Sequence, residues 1–118
     1  MTQVWARELA ENCTVNAINP GPVWGDMYSQ AGEAFWKTNQ EYVRGAPLMS
    51  YAGDDAIRAR AGGDPEEYSK TVMKGVGGKR PGFTDEIAGV VGMLCSEESA
   101  WTTGSVTCTN GEMKMSVA

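Results

Sequence analysis

At 118 residues the chain is long enough for one ordinary domain and too short for two. A hydrophobic content of 42% excludes wholesale disorder, and a net charge of -5 with a pI near 4.6 excludes nucleic acid and an anionic membrane surface as default partners. The chain contains no histidine, which removes Ser-His-Asp and Cys-His catalysis and leaves a conventional zinc site almost without ligands.

Met1 to Asn12 reads as a helix, with Met1, Trp5 and Leu9 four apart on one stripe and Ala6 and Ala10 widening it. No Ser, Thr, Asp or Asn precedes its first turn, so the chain is expected to begin inside a helix and to be cut from something larger. Cys13 to Ile18 follows as a strand, and Pro20 and Pro22 end it because neither can donate to a ladder. From Trp24 to Gly82 the chain is irregular and rich in glycine, of which it has 15. Three short helices are expected there: "GEAFWKTNQEYVRG", "DDAIRARAGG", and "DPEEYSKTVMKG" with Asp64 as its N-cap and Pro65 in its first position. Short helices broken by glycines describe a mobile lid better than a core. Thr84 then caps a second regular helix in which Ile87, Val90, Val91 and Leu94 follow helical spacing, and "SVTCT" is a strand ended by the Asn110-Gly111 turn.

Cys13, Cys95 and Cys108 are odd in number, widely spaced and without a CxxC pair, so they read as buried, reduced thiols of a cytosolic chain. No apolar run approaches a membrane span, and the N-terminus lacks a signal-peptide pattern; the expected location is cytoplasmic. "GVGGKR", Gly75 to Arg80, imitates a phosphate loop but follows a helix rather than a strand, which argues against a dinucleotide fingerprint. Lys70, Lys74, Lys79 and Arg80 form a local basic patch best read as a solvated face, and Tyr68 as lid packing.

The order "NAINPGPVWGDM", then "TDEIAGVVGMLCSEESAW", then "TTGSVTCTNG" resembles the C-terminal part of a short-chain dehydrogenase/reductase of the fungal kind with a long lid. The resemblance covers essentially the whole chain. It implies an α/β fold, the C-terminal portion of a Rossmann-like doubly wound sheet. Its order is helix, strand, helical lid, helix, strand, divided as a helix-strand-cofactor loop (1–23), a helical lid (24–82) and a helix-strand tail (83–118). It implies that Pro20, Gly21, Pro22 and Val23 close over the nicotinamide end of NAD or NADP, and that Thr103-Gly104 opens a strand often used for oligomer contacts. Phe35, Trp36 and Met49 are candidate linings of the substrate pocket, with simple lid packing as the alternative. Physically, a Pro-Gly turn at the carboxyl end of a parallel strand lets backbone groups approach a flat ring, where ligands of open α/β sheets sit.

The resemblance also implies what this segment lacks. The family's catalytic tyrosine and lysine, phosphate turn and ribose selector all belong upstream of Met1, so no catalytic residue and no metal ligand is assigned here. Gly25 stands where the family usually has Thr, Asn110 where Asp is common, and Glu112 where Gly is usual. Two readings stay open. One is a C-terminal segment of an NAD(P)-dependent carbonyl/alcohol oxidoreductase, inactive alone and acting on a small-molecule carbonyl or alcohol. The other is a truncated, non-catalytic binding or interaction protein. Two strands with an open edge are marginal by themselves, so either reading expects a longer chain or a homo-oligomer.

Overall fold

The computed structural model describes residues 1–44, 55–76 and 80–111. They fall into two compact units. One comprises Met1–Pro20 and Thr84–Thr109; the other comprises Gly21–Phe83 and the chain from Asn110.

The first unit is built on two parallel strands, β1 (Ala17–Pro20) and β2 (Val106–Thr109), in the register Ala17↔Val106, Ile18↔Thr107, Asn19↔Cys108 and Pro20↔Thr109. Parallel strands cannot be joined by a tight turn, so the register must be set by contacts between distant residues. Asn16 supplies them. Its side-chain amide donates to the Thr102 carbonyl at 2.9 Å, and its Oδ1 accepts from the Ser105 N–H at 3.2 Å and the Ser105 hydroxyl at 2.8 Å. Alongside, the Val15 N–H donates to the Thr103 hydroxyl oxygen, and the Gly104 N–H donates to the Val15 carbonyl at 2.8 Å.

The helices of this unit are α1 (Thr2–Glu8) and α6 (Thr84–Leu94), the latter followed by a 3-10 turn at Glu97–Ser99. α1 is shorter than the expected Met1–Asn12. The N–H groups of Asn12 and Cys13 both fold back onto the Leu9 carbonyl and close the helix as a turn. Its expected apolar stripe is not its buried face: Met1, Trp5 and Leu9 are exposed, and Ala6 is the buried residue. β1 likewise starts later than the expected Cys13, because residues 15 and 16 spend their bonds on Thr102, Thr103, Gly104 and Ser105. Pro20 is tolerated as the last strand residue, where a missing donor costs least. In β2 the alternation is inverted: Val106 and Cys108 are exposed and their threonine neighbours partly covered.

All three cysteines are exposed, which corrects the expectation of buried thiols. Cys13 and Cys95 line a wide groove of about 690 Å³ together with Asn16, Ile18, Val91 and Leu94. α6 carries the expected spacing, yet none of its residues is buried. The pattern that predicted burial is present; the surface that would cover it is not among the described residues.

The second unit holds α2 (Asp26–Gln30), α3 (Glu33–Arg44), α4 (Asp55–Arg60) and α5 (Pro65–Val76). α2 was not legible as a helix; the other three match the expected segments. The Asp64 carboxylate accepts from the Glu66 N–H at 3.0 Å, so α5 has its expected N-cap. It runs past Gly75 to Val76, one residue beyond the expected stop. Within this region, expected to form a lid, the described residues include a packed cluster. Tyr28, Trp36, Tyr68 and Val72 are buried together, with Trp24, Ala31, Ile57 and Ala61 packed against them. Helical spacing explains it, since Tyr68 and Val72 are one turn apart on α5.

Replacing Asn16 with Ala removes three hydrogen bonds and strands their partners, so it is expected to cost about 2–3 kcal/mol of stability. Urea unfolding of the variant measures that loss, and an unchanged midpoint would show that the register is held by other contacts.

Candidate functional site

The Pro-Gly-Pro segment leaves β1 as follows. Pro20 is exposed and pairs with Thr109 at the end of the sheet. Gly21, Pro22 and Val23 are half-buried and begin the second unit. Val23 forms a parallel bridge with Gly82. The Gly82 N–H donates to the Pro22 carbonyl at 2.8 Å, and the Trp24 N–H donates to the Gly82 carbonyl at 2.8 Å.

This bridge determines which backbone groups of the loop are spent. Successive peptide groups of an extended segment point to opposite sides. Pro22 and Trp24 turn their bonded groups toward Gly82, and the Val23 N–H and C=O point to the other edge, one donor and one acceptor side by side. Among the described residues neither is hydrogen-bonded. A donor and an acceptor at this spacing match the acceptor and donor of a primary carboxamide, as two strands match each other. The Val23 side chain adds an apolar surface beside them.

The partner segment is firmly seated. Pro81 is fully buried and Phe83 is 5% exposed. The guanidinium carbons of Arg60 and Arg80 lie 4.6 and 5.2 Å from the Phe83 ring centroid, and Arg80 donates to the Pro81 carbonyl at 2.7 Å. Arg80 is therefore engaged with Phe83 rather than forming part of a purely solvated basic face; Lys70 and Lys74 are exposed, and Lys79 lies outside the described residues. The "GVGGKR" segment falls largely outside them too, and α5 runs into its start.

Beyond the loop, Trp24 carries the chain into the aromatic cluster. Its ring meets Tyr68 edge-on at 4.7 Å and Tyr28 at 5.5 Å, and Tyr28 meets Trp36 at 4.8 Å. Of the candidate pocket residues, Trp36 is 8% exposed and its ring belongs to this cluster, while Phe35 is 55% exposed and stands edge-on to Trp36 at 5.1 Å. Met49 lies outside the described residues. Pattern reading missed Gly82, Asn110, Trp24 and Tyr28; the Pro-Gly-Phe triplet before α6 was the available signal for the first.

Burial raises the Tyr28 phenol above its ordinary value of 10.0, and Tyr68 nearby adds to the shift. The Tyr28 hydroxyl is buried and has no hydrogen-bond partner among the described residues. Tyr28→Phe is therefore expected to change stability at neutral pH by less than about 1 kcal/mol, in the stabilising direction. Because the folded state favours the neutral phenol, its contribution is complete below pH 10 and is lost as pH climbs toward the folded pKa. Thermal melts between pH 8 and pH 11 should show a shallower alkaline decline for the variant than for the parent chain.

The chain is 60% identical over all its residues to an L-xylo-3-hexulose reductase of Hypocrea jecorina, of which it covers 39%. It is 52% identical over 97% of its length to an L-xylulose reductase of Aspergillus niger, covering 38% of that protein. A more distant relative, an L-2,3-butanediol dehydrogenase of Corynebacterium glutamicum, is 33% identical over 96% of this chain and 36% of its own. Among solved structures, a short-chain dehydrogenase/reductase of the glucose/ribitol dehydrogenase type from Brucella melitensis superposes with a TM-score of 0.59. Its sequence identity is 27%, over 98% of this chain and 34% of that one. No protein-family model matches. The chain thus spans about two-fifths of the length of these curated relatives.

Proposed function

Since this chain corresponds in sequence and fold to the C-terminal part of a short-chain dehydrogenase/reductase, we propose that it supplies the nicotinamide-side loop and the substrate lid of an NAD(P)-dependent carbonyl/alcohol oxidoreductase. The observation that carries this reading is the unspent N–H and C=O pair of Val23, held in place by the Gly82 bridge. In it, the Val23 backbone receives the carboxamide of the nicotinamide, and the Val23 side chain shields one part of the ring from water. When bound, the reduced nicotinamide supplies a hydride to a carbonyl carbon, and the proton comes from a tyrosine outside these 118 residues.

Pro20 and Pro22 limit the loop's freedom before any ligand arrives, since each ring fixes φ. That lowers the ordering cost of binding. Phe35, Trp36 and Met49 belong in this reading to the lid, with Trp36 setting its core and Phe35 facing outward. Relatives named for ketose reduction at 60% and 52% identity support a ketose or the corresponding polyol as the substrate class. Self-association is supported by large apolar side chains in the open, Trp101 at 99% and Val106 at 49% exposure beside and within β2. A cytoplasmic setting fits three exposed, unpaired thiols, and no helix among the described residues is long and apolar enough to cross a membrane.

Two measurements on the 118-residue chain test this reading. Saturation-transfer NMR with NADP⁺ is expected to label the nicotinamide protons more strongly than the adenine protons, and Val23→Pro, which deletes the N–H, should reduce that labelling at least about tenfold. Purified chain with NADPH and a ketose should show no turnover. Stronger labelling of adenine, or measurable reduction of the sugar, would overturn the proposal.

A further inference from the structure

Gly21 stands where no side chain fits. A Cβ placed on it would lie 2.9 Å from both Asn110 Cα and Asn110 Cβ, and 3.1 Å from the Asn110 carbonyl oxygen. Carbon atoms in ordinary contact stand about 3.5–4.0 Å apart. The Cα and the carbonyl oxygen belong to the main chain, so they cannot swing aside as the end of a flexible side chain can. The obstacle is the turn after β2, which continues into Gly111 at φ 60. That is a left-handed conformation, natural to glycine and strained for other residues.

The next residues of the loop are fixed by a different segment. Gly82 bonds to Pro22 on one side of Val23 and to Trp24 on the other. Residues 21 to 24 are therefore held twice, by close packing at Gly21 and by two backbone hydrogen bonds around Val23. A short segment anchored at both ends has little freedom to rotate its central peptide groups.

We infer that Asn110 is a positioning residue for the loop: its backbone, packed on Gly21, sets the path of the chain into Val23 and so the direction of the Val23 N–H and C=O. Gly21 is small to admit the Asn110 turn, and a ligand meets the loop from elsewhere. The functional consequence rests on the reading of this loop as the nicotinamide contact, but the brace itself does not.

Amide hydrogen exchange on the full 118-residue chain, paired with NADP⁺ affinity, tests this. Gly21→Ala is expected to speed exchange at the Trp24 and Gly82 amides at least about tenfold, while the buried Tyr68 and Val72 amides of α5 stay protected. Gly21→Ala with Asn110→Gly, which removes one of the overlapping atoms, should recover part of the protection. NADP⁺ affinity should fall and recover in step. Unchanged exchange at Trp24 and Gly82 in Gly21→Ala would overturn the brace. If Gly21→Ala also exposes α5, Gly111→Ala decides, because it strains the turn without adding an atom to the loop. It must speed exchange at Trp24 and Gly82 several-fold, and its failure to do so overturns the inference. Parent chain that binds no NADP⁺ while Gly21→Ala accelerates exchange would sink the nicotinamide reading and uphold the brace. Intact NADP⁺ binding with unchanged exchange would do the reverse.

Discussion

Everything in the first unit depends on the parallel pairing of two four-residue strands lying nearly a whole chain apart, with Asn16 and Ser105 separated by 89 residues. Closing so long a loop costs entropy before any contact compensates. A four-residue parallel ladder is slender compensation, so the side chain of Asn16 and the hydroxyl of Thr103 extend the contacts to the two residues in front of β1, Val15 and Asn16. Once the strands are paired, Pro20 lies opposite Thr109 at the end of the ladder.

The two units bury their apolar residues to different degrees, for a physical reason. Among its described residues the second unit has four buried aromatic and aliphatic side chains that pack on each other. In the first unit, Ala6 is the buried apolar side chain, while Trp5, Leu9, Val91 and Val106 remain exposed. Helical and strand periodicity in that unit are sound, but periodicity predicts which residues share a face, not that the face is covered. The chain spans about two-fifths of the relatives it matches, and among the described residues its two-stranded sheet leaves edges and faces open.

That distinction explains what was legible in the sequence. Elements with local punctuation were readable: Asp64-Pro65 before α5, the glycines after α4, the acidic start of α6. So were the parallel strands, because a helix intervenes between them. Features decided by contact over long sequence distances were not readable. The inverted burial of Val106 and Cys108, the exposure of the cysteines, and the close approach of Asn110 to Gly21 have no local signature. Nor does the conversion of Trp24, Tyr28 and Trp36 into a core, since their spacing crosses two helices and a break. The loop at Pro20 to Val23 was conspicuous by composition, but its chemistry depends on Gly82, nearly sixty residues later, which decides which of its backbone groups are spent.

In the proposed reading, the Val23 peptide edge receives a carboxamide. Nicotinamide mononucleotide carries that carboxamide without the adenosine half, and titrating it into isotope-labelled chain reads the loop residue by residue. The Val23 amide resonance is expected to move most. The Trp24 amide, already bonded to Gly82, should move little. No shift at Val23, or a larger shift at Trp24, would contradict it.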